Sequence, residues 1–377
     1  MTSWLWSASS DRARPLPLLI ALVLVLACPA VAAAKPLDAP EVTAASVFAY
    51  DVATGETIYD VDADERRAMG SLAKIMTALV TLDHRTRDAE VVIAEADMVP
   101  AGYSTMWLQV GDILTVEQLL TDVLVPSAGD AALALARDVG AELGGTDDPQ
   151  SAVAAFVDAM NERAAGLGLD DTRFANPVGE DDADAWSTAH DIARLFHVAQ
   201  EDALLAGMLA QADYGFLSVG LEQREYGGLS TNELAGQLGV TGAKTGSTDA
   251  AGGCVVLART ANRGRNTVIV AILGSGLAYD ETGVRIRDER WTDARTLITD
   301  MDARWKWGAP SRSAAEPGAT TAMAPAGERP SDSSPPEAAT TMGNRRPERE
   351  TFAIALAGGM VAIASGSAWI RLRGGRT

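Results

Sequence analysis

The stretch Val240-Thr-Gly-Ala-Lys-Thr-Gly-Ser-Thr-Asp-Ala-Ala-Gly-Gly-Cys-Val-Val-Leu-Ala-Arg-Thr-Ala-Asn-Arg-Gly-Arg-Asn-Thr-Val-Ile-Val-Ala-Ile-Leu273 reads as three successive strands. Apolar and β-branched residues fill Val240–Thr245, Gly253–Thr260 and Thr267–Leu273, and Asn262-Arg-Gly-Arg265 has turn chemistry. A second strand signal lies near the start of the chain. There Ser46 to Asp51 alternate around Val47 and Ala49, Thr54-Gly55 supply a turn, and Glu56 to Asp60 alternate again. Helical spacing fills the region between. Ser71 to Arg85 places Ile75, Ala78, Leu79 and Leu82 on one face, and Thr115-Val-Glu-Gln118 is a capping box in front of apolar Leu119–Val125. Asp130–Leu143, Ala152–Ala165 and Ser187–Gln200 also read as helices, and Asp288–Trp305 as a last one. Strands first, helices in the middle and strands last predict an α+β fold: an antiparallel sheet whose first and last segments pair, flanked by helices, with a helical subdomain.

The 377 residues leave room for one large domain once both ends are set aside. Residues 1–34 run from Arg12 and Arg14 through apolar Pro15–Leu26 to Ala-Val-Ala-Ala-Ala, the order of a secretory signal peptide. The apolar run is shorter than the ~20 residues a membrane span needs. Cys28 resembles a lipidation site, but Leu26 and Pro29 fit that poorly. Removal of residues 1–34 leaves Cys254 as the one cysteine, so no intrachain disulfide is expected. Residues 35–308 form the expected catalytic domain. Residues 309–350, rich in Pro, Ser, Ala and Thr, are too polar to fold and read as a tether. Residues 351–371, apolar and without charge from Phe352 to Ile370, read as a transmembrane helix, and 372–377 as a short basic cytoplasmic tail. The globular part is thus expected outside the cytoplasm, on the outer face of a bacterial cell membrane. A formal charge of −20 argues against a nucleic-acid partner. Low aromatic content, 5%, with abundant Ala and Gly points to tightly packed helices rather than an aromatic ligand groove.

Three elements carry chemistry. Gly70-Ser71-Leu-Ala-Lys74 opens a helix, where residues three apart share a face, so the Ser71 hydroxyl and the Lys74 amine can meet. A lysine in a desolvated site loses its proton readily enough to serve as the base for such a nucleophile. Val125-Pro-Ser127-Ala-Gly129-Asp130 is a loop between helices whose hydroxyl can relay a proton to a leaving amine; Ser127 or Asp130 is equally suited to cap the next helix. Lys244-Thr245-Gly246-Ser247 ends a strand with a cation and hydroxyls that suit a carboxylate, while Gly246 permits close approach of an extended peptide. Ser-x-x-Lys alone recurs by chance. The three together, in this order on helix, loop and strand, match the set found in penicillin-binding proteins and β-lactamases.

Arg67-Ala-Met-Gly-Ser71-Leu-Ala-Lys74-Ile-Met-Thr-Ala, Leu119-Leu-Thr-Asp-Val-Leu-Val-Pro-Ser127, Phe174-Ala-Asn-Pro177, Ser187-Thr-Ala-His-Asp191 and Gly242-Ala-Lys244-Thr-Gly-Ser-Thr-Asp-Ala-Ala-Gly252 resemble the low-molecular-mass D-alanyl-D-alanine carboxypeptidases. The resemblance implies the penicillin-binding, β-lactamase-like transpeptidase fold and a serine peptidase acting on peptidoglycan stem peptides, inhibited covalently by β-lactams. Ser71 would attack the carbonyl between the two terminal D-alanines, Lys74 accept its proton and Ser127 pass a proton to the departing D-alanine. Lys244 and Thr245 would hold the terminal carboxylate, with help from Arg290, and the N–H groups of Ser71 and Ser247 would form an oxyanion hole. No metal, cofactor or histidine enters this scheme; His84, His190 and His197 read as surface or packing residues.

One position departs from the family pattern. Its loop reads Ser-x-Asn, and here the third position is Gly129, followed by Asp130. Loss of that amide predicts weak turnover unless Asp130 shifts to compensate, and Gly129→Asn is expected to raise it. Two other readings share the motifs. A β-lactamase would need a deacylating carboxylate, for which Glu180 is the candidate, and a muropeptide-binding protein would keep the pocket without efficient turnover.

Overall fold

The computed structural model describes residues 35–307 apart from Ala101. The expected signal peptide, tether, transmembrane helix and tail, at 1–34, 309–350, 351–371 and 372–377, lie outside the described residues. Among the described residues no helix is long and apolar enough to cross a membrane.

β1 (Ser46–Asp51) and β2 (Thr57–Val61) form the early hairpin. A 3₁₀ turn at Gly70–Ala73 runs into α1 (Lys74–His84). β3 (Glu90–Val92) pairs with β4 (Ile113–Thr115) ahead of α2 (Val116–Leu124), α3 (Gly129–Gly144) and α4 (Pro149–Gly166). After α5 (Ala189–Glu201) and α6 (Ala203–Leu209) comes a small hairpin of β5 (Asp213–Leu217) and β6 (Glu225–Leu229). The chain then enters β7 (Val240–Thr248), β8 (Gly252–Ala261) and β9 (Asn266–Ser275), a short hairpin of β10 (Leu277–Tyr279) and β11 (Arg285–Asp288), and α7 (Arg290–Arg304).

The main sheet has the order β2-β1-β9-β8-β7 and is antiparallel throughout, so the first and last strand segments do pair, Val47 lying opposite Ile272. Both faces are covered, which explains the nearly continuous apolar runs of β8 and β9. Cys254, Val256, Ala258, Ile269, Ala271 and Leu273 face the helical core of α1, α2, α3 and α5. Their neighbours Val255, Leu257, Val268, Val270 and Ile272 face α7 through Trp291, Leu297, Ile298, Met301 and Trp305. The two-residue period sends alternate side chains to opposite layers, and each buried aliphatic contributes ~1.5–3 kcal/mol.

α6 and the β3–β4, β5–β6 and β10–β11 hairpins were not legible as separate elements, being too short to build a period. The expected helix from Ser71 divides, because its first turn is 3₁₀ and the α-helix begins at Lys74. The histidines lie away from the cleft: His190 stacks on Phe48, with ring centroids 4.5 Å apart, and His197 Nδ1 lies 2.7 Å from the Tyr50 hydroxyl.

Candidate active site

Three glycines let three backbone segments touch where Ser71 stands. Gly70 has φ +54°, and a Cβ there would lie 3.0 Å from the Ser247 nitrogen. A Cβ on Gly246 would lie 2.6 Å from the Met69 carbonyl oxygen, and one on Gly179 only 2.0 Å from the Gly70 carbonyl oxygen. The absent side chain of Gly246 is therefore demanded by the turn that carries Ser71, not only by an approaching peptide. The same contacts bring both backbone nitrogens in, since a Cβ on Gly246 would also lie 3.2 Å from the Ser71 nitrogen.

The 3₁₀ turn helps the chemistry, because with three residues per turn positions i and i+3 eclipse. Lys74 Nζ donates to Ser71 Oγ at 2.9 Å and to the Val178 carbonyl at 2.7 Å. Lys74 is 3% exposed. Burial lowers its pKa to about 7, against an opposing pull from the Asp130 carboxylate. Sequence reasoning did not find the Val178 carbonyl as a lysine ligand. It is presented by Asn176, whose Oδ1 accepts the N–H groups of Val178, Gly179 and Glu180 at 3.2, 2.8 and 2.9 Å.

Ser127 has φ +70°, an unusual conformation for a non-glycine residue. Neither it nor Asp130 caps α3, whose N-cap is Ala128. Ser127 instead accepts from Lys244 Nζ at 2.7 Å. Lys244 is fully buried, donates also to the Thr245 carbonyl at 3.0 Å, and does not border the cleft. It lies behind Ser127 rather than in direct reach of a substrate carboxylate. Burial, then the nearby Lys74 and Arg290 charges, hold its pKa well below the usual lysine range. Thr245 does border the cleft and donates to the Thr231 hydroxyl at 2.8 Å. No pattern in the sequence marked Thr231, which is brought in by its N–H bond to the Val125 carbonyl at 3.1 Å.

Arg290, the first residue of α7, is buried and spends most of its donors inside the protein. It donates to Asp288 Oδ1 (2.7 Å), the Gly246 and Cys254 carbonyls (2.8 and 3.1 Å) and Ser247 Oγ (2.6 Å). Of the five N–H groups of a guanidinium, one is left for the cleft it borders. Its main effect is to fix the end of β7.

Asp130 does not replace the missing amide. Its carboxylate accepts from the Thr105 hydroxyl at 2.6 Å and from the N–H groups of Met106 and Leu108, so it is committed to the 105–108 segment. The space beside Gly129 is occupied too. A Cβ there would lie 3.2 Å from Val99 Cγ1 and 3.3 Å from the Ser104 carbonyl oxygen, which already accepts the Gly129 N–H at 2.7 Å. An added side chain needs Val99 and the Ser104 carbonyl to give by a few tenths of an ångström, so the outcome of Gly129→Asn depends on how far these two neighbours yield.

These residues open onto a cleft of about 570 Å³. Ser71, Lys74, Ser127 and Gly129 line it together with Thr245, Gly246 and Ser247, and Tyr103, Ser104, Glu180, Asp181 and Arg285 also border it. Asp181 is occupied with the Thr248 hydroxyl (2.5 Å) and the Ala250 N–H (3.0 Å). Tyr103 is pushed up to about 12 by burial and by its hydrogen bond to Glu180. A serine hydroxyl bonded to a depressed-pKa lysine, paired N–H groups beside it, and a hydroxyl-lined strand are the parts of an acyl-transfer site. The α+β fold and this cleft define a penicillin-binding type of serine hydrolase.

Comparison with known proteins gives the family. Residues 32–276 match the peptidase S11 family, D-alanyl-D-alanine carboxypeptidase. The chain is 34% identical over 262 residues, 66% of its length, to a D-alanyl-D-alanine carboxypeptidase of Streptomyces sp. strain K15, of which it spans 85%. It is 32% identical over 62% of its length to D-alanyl-D-alanine carboxypeptidase DacB2 of Mycobacterium tuberculosis, spanning 76% of that protein. The crystal structure of the Streptomyces K15 DD-transpeptidase superposes with a TM-score of 0.62 at 31% identity, covering 70% of this chain and 98% of that one. The chain belongs to the D-alanyl-D-alanine carboxypeptidase family of serine-type hydrolases.

Proposed function

We propose that this protein removes the terminal D-alanine from peptidoglycan stem peptides through an acyl-enzyme on Ser71. The observation that carries the proposal is the 2.9 Å bond between Ser71 Oγ and the buried Lys74 amine, whose pKa of about 7 leaves a substantial neutral fraction at physiological pH. Ser71 Oγ attacks the carbonyl carbon between the two D-alanines as Lys74 takes its proton. The developing oxyanion is held by the N–H groups of Ser71 and Ser247. The C–N bond then breaks, and Ser127, bonded to Lys244, gives its proton to the departing amine and takes one back from Lys74, which returns to its neutral form. Water cleaves the ester and returns Ser71 to its hydroxyl form. The substrate carboxylate rests on Thr245, Ser247 and the remaining N–H of Arg290, with Lys244 acting from behind Ser127. A β-lactam occupies the same path and stays as a stable ester.

The family match supports a carboxypeptidase over a β-lactamase, and of the two rim carboxylates Asp181 is engaged by the Thr248 hydroxyl and the Ala250 N–H. The basic-apolar-small order of residues 1–34 and the apolar segment at 351–371 support export and anchoring on the outer face of the cell membrane.

The test uses the full-length protein in detergent. A labelled penicillin should give a covalent adduct that Ser71→Ala abolishes, and a pentapeptide ending in D-Ala-D-Ala should release D-alanine. Absence of labelling of the wild type sinks the acyl-enzyme. Labelling without D-alanine release favours a muropeptide-binding role, and rapid penicillin turnover a β-lactamase.

A further inference from the structure

Trp107 has no part in the acylation chemistry, yet its backbone is built with care. Its side chain is 73% exposed, and its φ of +58° lies in the left-handed region that bulky residues avoid. Such a conformation persists only where the surroundings over-determine it. Here the anchor is the Asp130 carboxylate, itself 1% exposed, which accepts from the Thr105 hydroxyl at 2.6 Å and from the N–H groups of Met106 and Leu108 at 3.1 and 3.2 Å. Thr105 Oγ1 then accepts the Trp107 N–H at 3.0 Å, and the Gln109 amide donates to the Trp107 carbonyl at 2.8 Å. Both polar groups of the Trp107 backbone are tied, and the indole is held out in water.

The position of the residue says what it meets. Ser104 borders the cleft. Three further residues reach at most about 10 Å, so Trp107 lies within that distance of the cleft lining. If the cleft takes stem peptides, the residues preceding the scissile bond leave it at about 3.4 Å each and carry the attached sugar to this distance. We propose that Trp107 is a stacking platform for the glycan that bears the stem peptide. The C–H face of a pyranose ring packs on an indole face, and the indole N–H remains to bond a sugar hydroxyl. A formal charge of −20 disfavours the other apolar occupant of an exposed tryptophan, a surface of anionic lipid. An amide-linked glycan, being far less charged, suffers less of that repulsion.

This inference rests on the stem-peptide reading of the cleft, and its test separates the two. Full-length wild type, Trp107→Ala and Trp107→Phe, in detergent, are sedimented with glycan strands stripped of their peptides. D-alanine release is then compared between a free pentapeptide and the same pentapeptide carried on a disaccharide. Trp107→Ala should weaken glycan binding and lower kcat/KM on the disaccharide substrate by about fivefold, with Trp107→Phe in between and the free pentapeptide unchanged within about twofold. Wild type that does not sediment with glycan, or Trp107→Ala that behaves as wild type in both assays, overturns the proposal. A wild type inactive on both peptides would refute the stem-peptide reading, and glycan sedimentation would still decide the role of Trp107.

Discussion

The two walls of the cleft are held in place by different means. The sheet wall, Thr245 to Ser247 on β7, is locked by the β7–β8 ladder, by backbone contact with the Ser71 turn and by the buried Arg290 guanidinium. The helical wall, Ser127 to Asp130 with the 98–108 segment against it, has no ladder. It is tied by the buried Asp130 carboxylate, by the Gly129 N–H to the Ser104 carbonyl and by Ser127, at φ +70°, to Lys244. A wall built from repeated backbone bonds tolerates little change in shape but survives loss of single side chains. One built on a few separate bonds can vary its path, and it is here that the chain departs from the Ser-x-Asn pattern.

The largest effect is expected from disturbing the sheet wall at its tightest contact. Gly246→Ala adds a Cβ 2.6 Å from the Met69 carbonyl, which must move and take Ser71 with it. Penicillin acylation should fall by about a hundredfold, with a stability loss of about 1–3 kcal/mol from overpacking, read as second-order labelling rate and midpoint of denaturation. Wild-type labelling would show that the two segments are not in rigid contact.

Asp130→Asn tests the helical wall. Three hydrogen bonds to a buried carboxylate are weakened, and a loss of about 2 kcal/mol is expected in denaturant titration. The pH profile gives a second reading. Lys74, at about 7, must be neutral to accept the proton, so wild-type acylation should rise as pH passes through that value. Asp130 is the charge that raises the Lys74 pKa, so its neutralisation should move this rise to lower pH. Stability carries the same sign. The folded-state pKa lies below the ordinary 10.5, so the unfolded chain binds more protons between about 7 and 10.5, and the Lys74 contribution to stability increases with pH across that window. A profile that does not move in Asp130→Asn would show that the carboxylate does not act on Lys74.

The smallest effect is expected at Gly129. Gly129→Asn alone should leave D-alanine release at or below wild type, because Val99 and Ser104 hold the space; combined with Val99→Ala it should do better than alone. A clear gain from the single substitution would mean that the 98–104 segment yields easily and that the helical wall is softer than its hydrogen bonds imply.

Much of this was legible before the chain was folded, and the reasons differ by residue. The strands around Lys244 were visible because burial on both faces leaves long apolar runs, and the Ser71–Lys74 pair because i,i+3 neighbours meet on any helical turn. Arg290 was named through the family resemblance, yet its employment in holding Gly246 and Ser247 was not, since 44 and 43 residues separate the partners. Thr231 and the Val178 carbonyl carried no local pattern at all. The low aromatic content argued against an aromatic binding surface, but a bulk fraction cannot register one tryptophan held in water by a carboxylate twenty-three positions along the chain. Local periodicity and spacing, which act through bonds and nearest neighbours, determined the α+β class and the strand and helix order, and placed Ser71 and Lys74 on one turn. Only the tertiary structure decided what surrounds them: that Lys244 lies behind Ser127, that Asp130 anchors the 105–108 segment, and that Val99 and Ser104 stand beside Gly129. Those outcomes depend on which distant segments come into van der Waals contact, and the packing of the whole domain sets that.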